Sequence, residues 1–178
     1  VQDRQEAPSP SPDALVRRKR ESNLRSGSVP PALVGLRVYL GAIFLIAVVP
    51  KLMGRPDFSL RLSGFLDAVA LKQGHTFYQV FVREVVISHL SGFATLVMAA
   101  ELTVGLLLVL GAATRLAASI AILLLINYML AKGMWPWMPA SNDGALIAIA
   151  LALLVTRAGR TLGVDSHLAW RWPRMPLW

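Results

Sequence analysis

The stretch SGFATLVMAAELTVGLLLVL, residues 91–110, decides the fold. It is long enough to cross a bilayer, which takes about 20 apolar residues, and its one charge is Glu101. A carboxylate at the centre of a membrane helix costs on the order of 2.5–3.5 kcal/mol on insertion scales. Such a residue is kept where something pairs with it, protonates it or uses it.

Three more apolar segments flank this one: residues 32–49, which carry Arg37, residues 116–131 and residues 144–156. The last two are short for spans and must borrow flanking residues. Across the 178 residues, 55% are hydrophobic and the mean hydropathy is +0.55, too apolar for a soluble domain of this size. The first segment is no signal peptide, because it is long, contains Arg37 and ends in Val48-Val49-Pro50-Lys51 without a small-x-small cleavage site. The sequence thus predicts an all-α integral membrane protein: a four-transmembrane-helix bundle over residues 31–168. A polar, basic tail (residues 1–30) precedes it and a Trp/Arg-rich tail (residues 169–178) follows.

Charge sets the orientation. With four spans, the N-tail, the turn after the second span and the C-tail share a side and hold Arg4, Arg17, Arg18, Lys19, Arg20, Arg25, Arg115, Arg157, Arg160, Arg171 and Arg174. The other side holds Lys51, Arg55, Arg61, Lys72, Arg83 and Lys132. The denser set belongs in the cytoplasm, which puts both termini inside and makes this a multi-pass protein of a bacterial cytoplasmic membrane. The net charge of +8 comes largely from the ends, and no nucleic-acid motif accompanies it, so nucleic acid is not an expected partner. Arg17, Arg18, Lys19 and Arg20 serve as a topology signal or a lipid- or partner-binding patch. Trp170, Trp172 and Trp178, interleaved with arginines, suit interfacial anchoring or docking to a partner.

Between the first two spans, residues 75–90 place His75, Gln79 and Arg83 along one face and aromatic or β-branched residues on the others. This predicts an external amphipathic helix on the bundle, with Tyr78 at the interface and its hydroxyl in water. Residues 60–71 predict a shorter helix broken at Gly74. The turn Gly111-Ala112-Ala113-Thr114-Arg115 makes the second and third spans a hairpin. Gly144, Ala148 and Ala152 form a small-residue stripe suited to close helix contact inside the bundle or with a partner subunit. Asn142 and Asp143 fit the N-terminus of the last helix.

The candidate chemistry is intramembrane and polar. Arg37 lies ~9 Å inside the first span and Glu101 ~14 Å inside the second, counted at 1.5 Å per residue from the same side. Three readings follow: a structural Arg37–Glu101 pair, a polar site for a quinone headgroup or proton, or an Arg37 that snorkels to the interface and leaves Glu101 protonated. Asn127 and Tyr128 add hydrogen-bonding groups in the third span. There are no cysteines, and the three histidines share no i, i+4 spacing, so no resident metal or covalently held cofactor is expected. Any redox role then runs through a partner or a diffusible quinone; a lipid is the other candidate ligand.

Taken together, these residues resemble the DoxX/DoxD family of small four-helix membrane proteins. The first span reads Arg37-x3-Gly41-x2-Phe44, closed by Lys51, and the second reads Glu101-x3-Gly105-x5-Gly111 followed by Thr114-Arg115. Ala158-Gly159-Arg160-Thr161-Leu162-Gly163-Val164-Asp165 resembles the family motif after the last span, and the likeness covers about residues 33–168. The long segment between the first spans and Asn127-Tyr128 lean toward the branch of thiosulfate:quinone oxidoreductase small subunits. Val48-Val49-Pro50 departs from the pattern, which often has a glycine before the lysine. The resemblance implies a membrane subunit beside a redox partner, with Gly105, Gly111, Arg115, Gly159, Arg160 and Asp165 as structural motif residues, and Asp165 with Arg160 clamping the cytoplasmic end. The leading expectation is an accessory subunit of a redox or electron-transfer complex. The alternatives are a catalytic small subunit with a quinone site, and a structural subunit of a large respiratory or photosynthetic complex.

Overall fold

The computed structural model describes Ser11 and residues 31–54, 57–138, 140–156 and 163–165, and among these every regular element is helical. The longest are α1 (Pro31–Met53), α4 (Leu90–Leu110), α5 (Thr114–Ala131) and α6 (Asn142–Thr156). They pack in a ring, with α1 on α4, α4 on α5, α5 on α6 and α6 back on α1. Between α1 and α4 lie α2 (Phe58–Phe65) and α3 (Thr76–Phe81).

Three helical runs are long and apolar enough to cross a membrane: Pro31–Met53, Thr76–Leu110 and Thr114–Ala131. The predicted fourth, α6, has 15 residues, or ~22 Å at 1.5 Å per residue. That falls short of a hydrocarbon layer of about 30 Å. Residues 157–162, from which it would borrow, lie outside the described part.

The close fit of α1 on α4 rests on two glycines. A Cβ on Gly41 would stand 2.9 Å from Val109 Cγ2 and 3.0 Å from the Gly105 carbonyl oxygen. A Cβ on Gly105 would stand 2.7 Å from Leu45 Cδ2. In lipid, water provides no drive to press helices together, so such backbone approach supplies the dispersion contact instead. At the end of the bundle nearer Arg37, Leu40, Phe44, Val104, Leu108, Ala117, Ala118, Ala121, Leu125, Ala150 and Leu153 form a continuous buried core.

The turn joining α4 to α5 is a hairpin, as the sequence predicts. Gly111 caps α4 in the left-handed region (φ 65°), and the Ala112 N–H bonds back to the Leu107 carbonyl at 2.9 Å. Ala113 also has positive φ (45°), a strained conformation for a residue with a Cβ. Asp165 holds it there. One carboxylate oxygen accepts the Ala113 N–H at 2.5 Å and the other accepts the Thr114 N–H at 2.9 Å, while the Asp165 N–H donates to the Gly111 carbonyl at 2.8 Å. The carboxylate caps the start of α5 from fifty residues downstream. Gly159 and Arg160, its expected companions, lie outside the described residues, as do Arg17, Arg18, Lys19, Arg20, Trp170, Trp172 and Trp178.

The segment between α1 and α4 differs from expectation. A helix does break at Gly74: α2 runs on through a π-helical turn (Leu66–Ala70) and a last turn at Leu71–Gln73, and stops there. Beyond it no separate amphipathic helix forms. Helix α3 continues through a π-helical turn at Val82–Val86 and a 3-10 turn at Ile87–His89 into α4, one helical run of 35 residues. Its backbone leaves helical values at His89 (φ −129°, ψ 35°). At ~52 Å this run is much longer than a bilayer core. Its first part folds with α2 over the end of the bundle, where Leu66, Ala70, Tyr78, Val82, Val86 and Ala131 make a second core.

One smaller expectation is corrected. Gly144 fits tightly against the Pro136 backbone, but Ala148 is exposed, and the buried face of α6 is Asp143, Ala150 and Leu153. The small-residue stripe therefore does not face the core. Asp143 lies in the first turn of α6, as expected near a helix N-terminus, and also pairs with Lys132 at 2.7 Å.

Candidate functional site

The expected Arg37–Glu101 pair does not form. Antiparallel packing sets Gly41 against Gly105 and Val109, and by the same register Arg37 comes against Gly111. The Arg37 guanidinium lies beside Gly111, in the field of Asp165, at the far end of α4 from Glu101. Ten residues of helix, ~15 Å, separate the two levels. Counting depth from predicted segment ends missed that α1 starts well before the level at which α4 stops.

Glu101 is buried (1% exposed) and its partner is Lys51, at the other end of α1. The Lys51 ammonium donates to Glu101 Oε1, and the Tyr128 hydroxyl donates to the same oxygen at 2.6 Å. Glu101 thus joins α1, α4 and α5 through one carboxylate oxygen. Lys51 also sits over two aromatic rings, 5.2 Å from the Phe58 centroid and 5.8 Å from that of Tyr128. Cation–π attraction of this kind helps hold a cation in a poorly hydrated place. The ammonium is supplied by the last turn of α1, which suits a long apolar stem carrying its charge inward.

The other oxygen of this carboxylate, Oε2, is buried and has no hydrogen-bond partner among the described residues. Glu101 lines a cavity of about 610 Å³ between the ring of helices and the α2–α3 cover. That volume falls within the range of small-molecule sites, roughly 300–1,000 Å³. Its walls are mostly apolar: Ala47, Phe58, Leu62, Phe65, Val86, Phe93, Val97, Ala100, Ile120 and Leu124. The polar groups are few and convergent, namely Lys51, Glu101, Tyr128, Asn127, Tyr78, Arg61 and Lys132. Leu96 (62% exposed) and Leu123 (67%) also line it, on neighbouring helices α4 and α5. The cavity therefore reaches the flank of the bundle that faces acyl chains.

The cover is tied down at several points. Arg61 of α2 donates to the Pro50 carbonyl at 2.7 Å. Gly54 makes this approach achievable, since a Cβ there would lie 2.6 Å from Arg61 Nη2. Tyr78 is buried and donates to Asn127 Oδ1 at 3.1 Å, so its hydroxyl faces a helix and not water as the sequence suggested. At the outer edge His75 packs on Trp135 with centroids 4.6 Å apart, and Trp135 stacks on Trp137 at 5.2 Å.

Of the expected polar site residues, then, Glu101, Tyr128 and Asn127 come together around one cavity, and Arg37 does not. Gly105, Gly111 and Asp165 serve helix packing and capping, and Arg115 lies in the first turn of α5, away from the cavity lining. Sequence reasoning missed Lys51 and Tyr78. The signal for Lys51 was present, because an antiparallel register that pairs position 41 with 105–109 puts the end of α1 near position 101. Among the described residues no group of three or more His, Cys, Asp or Glu side chains could hold a metal ion.

Comparison with known proteins adds one finding. No curated protein and no solved structure matches the chain. A family model does match, over residues 32–133, which takes in α1 to α5 and every polar residue of the cavity. Helix α6 and the motif at residues 158–165 lie beyond the matched region, so the likeness is carried by the earlier motifs. This membrane protein belongs to the DoxX family.

Proposed function

We propose that the protein is a membrane subunit of a redox or electron-transfer complex, and that its cavity receives the headgroup of a lipid-soluble molecule of the quinone type. The observation that carries this is the Lys51–Glu101–Tyr128 cluster set in the wall of an apolar cavity. A purely structural rivet needs no empty volume beside it, whereas a ligand site needs both an apolar body-binding wall and a few oriented polar groups. Access from the lipid flank past Leu96 and Leu123 suits a ligand that travels in the membrane. The chain has no cysteine, so electrons exchanged with such a ligand would come from a partner chain. Under this reading the protein lies in a bacterial cytoplasmic membrane with α6 as a fourth span and both termini inside.

Mild detergent extraction from native membranes followed by mass spectrometry tests the proposal. It expects a redox subunit and a quinone to co-purify with the chain. A chain recovered alone, with phospholipid as its only small-molecule companion, would count against it.

A further inference from the structure

We infer that the cavity prefers a small amphiphile whose head is an anion with acceptor oxygens, a carboxylate or sulfonate, and that Arg61 is the residue that receives this head. This rests on the reading of the cavity as a ligand site and names the charge that such a site favours. The polar groups of the lining divide into those already engaged and those within reach. Glu101, the one carboxylate in the lining among the described residues, is engaged. Its Oε1 accepts from Lys51 and Tyr128, and its Oε2 is sealed from solvent. The groups within reach are donors. The side chains of Lys51 and Lys132 are 20% and 37% exposed, Arg61 is exposed, and all three line the cavity. Each keeps N–H groups beyond those taken up by Glu101, Asp143 and the Pro50 carbonyl.

Charge points the same way. Lys51 is matched by Glu101 and Lys132 by Asp143, whereas Arg61 forms no ion pair among the described residues. Asp57, one helical turn before it, accepts from Ser59 instead. The Lys51 ammonium and the Arg61 guanidinium both approach the Phe58 ring, at 5.2 and 6.0 Å from its centroid. That ring is buried in the cavity wall, so the charged groups themselves, and not only their stems, sit at the wall. Two cations drawn to one ring repel each other, and Glu101 offsets only one of them. A bound anion offsets the other. The planar guanidinium also matches a carboxylate or sulfonate with two parallel N–H groups. A quinone carbonyl accepts the same hydrogen bonds without a charge, and charge-assisted bonds are roughly twice as strong as neutral ones. The quinone is therefore the weaker member of the acceptor class this lining suits.

The experiment uses the full chain in nanodiscs of neutral phospholipid, with empty discs as the blank. An alkyl sulfonate and an alkyl benzoquinone of equal chain length are titrated separately by calorimetry, and methanesulfonate supplies the head without the body. The alkyl sulfonate should bind at least tenfold more tightly than the quinone, a factor worth about 1.4 kcal/mol. Methanesulfonate at the same concentration should not displace it. Arg61→Gln should remove most of the sulfonate's advantage and lower the quinone affinity far less. Ala100→Phe, which fills the cavity from its wall, should abolish binding of both. A sulfonate that binds no better than the quinone overturns the inference and leaves the quinone reading standing. Sulfonate binding without quinone binding supports the inference and counts against the quinone reading. No binding of either overturns both. Displacement by methanesulfonate, or sulfonate binding untouched by Ala100→Phe, marks a basic surface outside the cavity and overturns the inference. The wild-type comparisons do not depend on a variant folding.

Discussion

Glu101 is tolerable inside the membrane because its charge is matched at one oxygen by Lys51 and steadied by Tyr128. Breaking a buried pair by removing one partner costs more than removing both, because the survivor stays buried and uncompensated. Lys51→Met should therefore destabilise the chain by about 3 kcal/mol, and Lys51→Met combined with Glu101→Met should recover most of that loss. Thermal melts of the three variants in one detergent check this; a double variant no more stable than Lys51→Met would show that the pair is not the relevant contact. At this scale the sequence announced the anomaly and half of its surroundings. Glu101, Asn127 and Tyr128 stand out as polar residues in apolar runs. Their true cation did not, because Lys51 sits at a helix end, where a basic residue is ordinary, while Arg37 sits inside a span, where it is conspicuous. Conspicuousness misled: Arg37 serves the other end of α1, beside Gly111 and Asp165.

Among the elements, α1 and α4 owe their contact to Gly41 and Gly105, while Gly35, on the same helix as Gly41, has open space around its missing Cβ. Glycine inside a helix costs up to about 1 kcal/mol relative to alanine where nothing crowds the new methyl. Gly35→Ala should thus leave the melting temperature unchanged or slightly raised. Gly41→Ala and Gly105→Ala should lower stability by roughly 1–3 kcal/mol, the usual cost of overpacking. Unfolding in mixed micelles would separate the two outcomes, and equal behaviour of all three would argue against close packing at this seam. Helix ends and the α4–α5 hairpin were legible in advance, since Gly111 and the turn residues mark them. The 35-residue run from α3 into α4 was not. Its apolar residues follow no single helical period, because a π-helical turn and a 3-10 turn change the phase between Val82 and His89. A reader of sequence sees two patterns and infers two helices.

For the whole molecule, polarity is divided between two ends. One end holds Arg37, Gly111 and Asp165 beside the buried apolar core; the other holds Lys51, Lys132, Trp135 and Trp137 around the cavity and its cover. The predicted orientation puts the second end outside the cell. Because the chain has no cysteine, single cysteines at Trp137 and Val164, both exposed, can be placed without a background. The cysteine at 137 should react with an impermeant maleimide in intact cells, and the one at 164 only after the membrane is opened; the opposite pattern reverses the topology. The positive-inside count could foretell this asymmetry, but no pattern in one sequence shows empty volume. A cavity is a property of what three or four helices fail to fill, and it emerges only when α2 and α3 fold over the bundle end.

The central claim is that this volume is a binding site. Photolabelling the reconstituted chain with an aryl-azide quinone, followed by peptide mapping, tests it most directly. Label concentrated on cavity-wall positions such as Phe58, Ala100 and Ile120, and displaced by excess unlabelled quinone, is the predicted result. Label confined to outward-facing positions such as Ile46 and Val155, and not displaced, would contradict it.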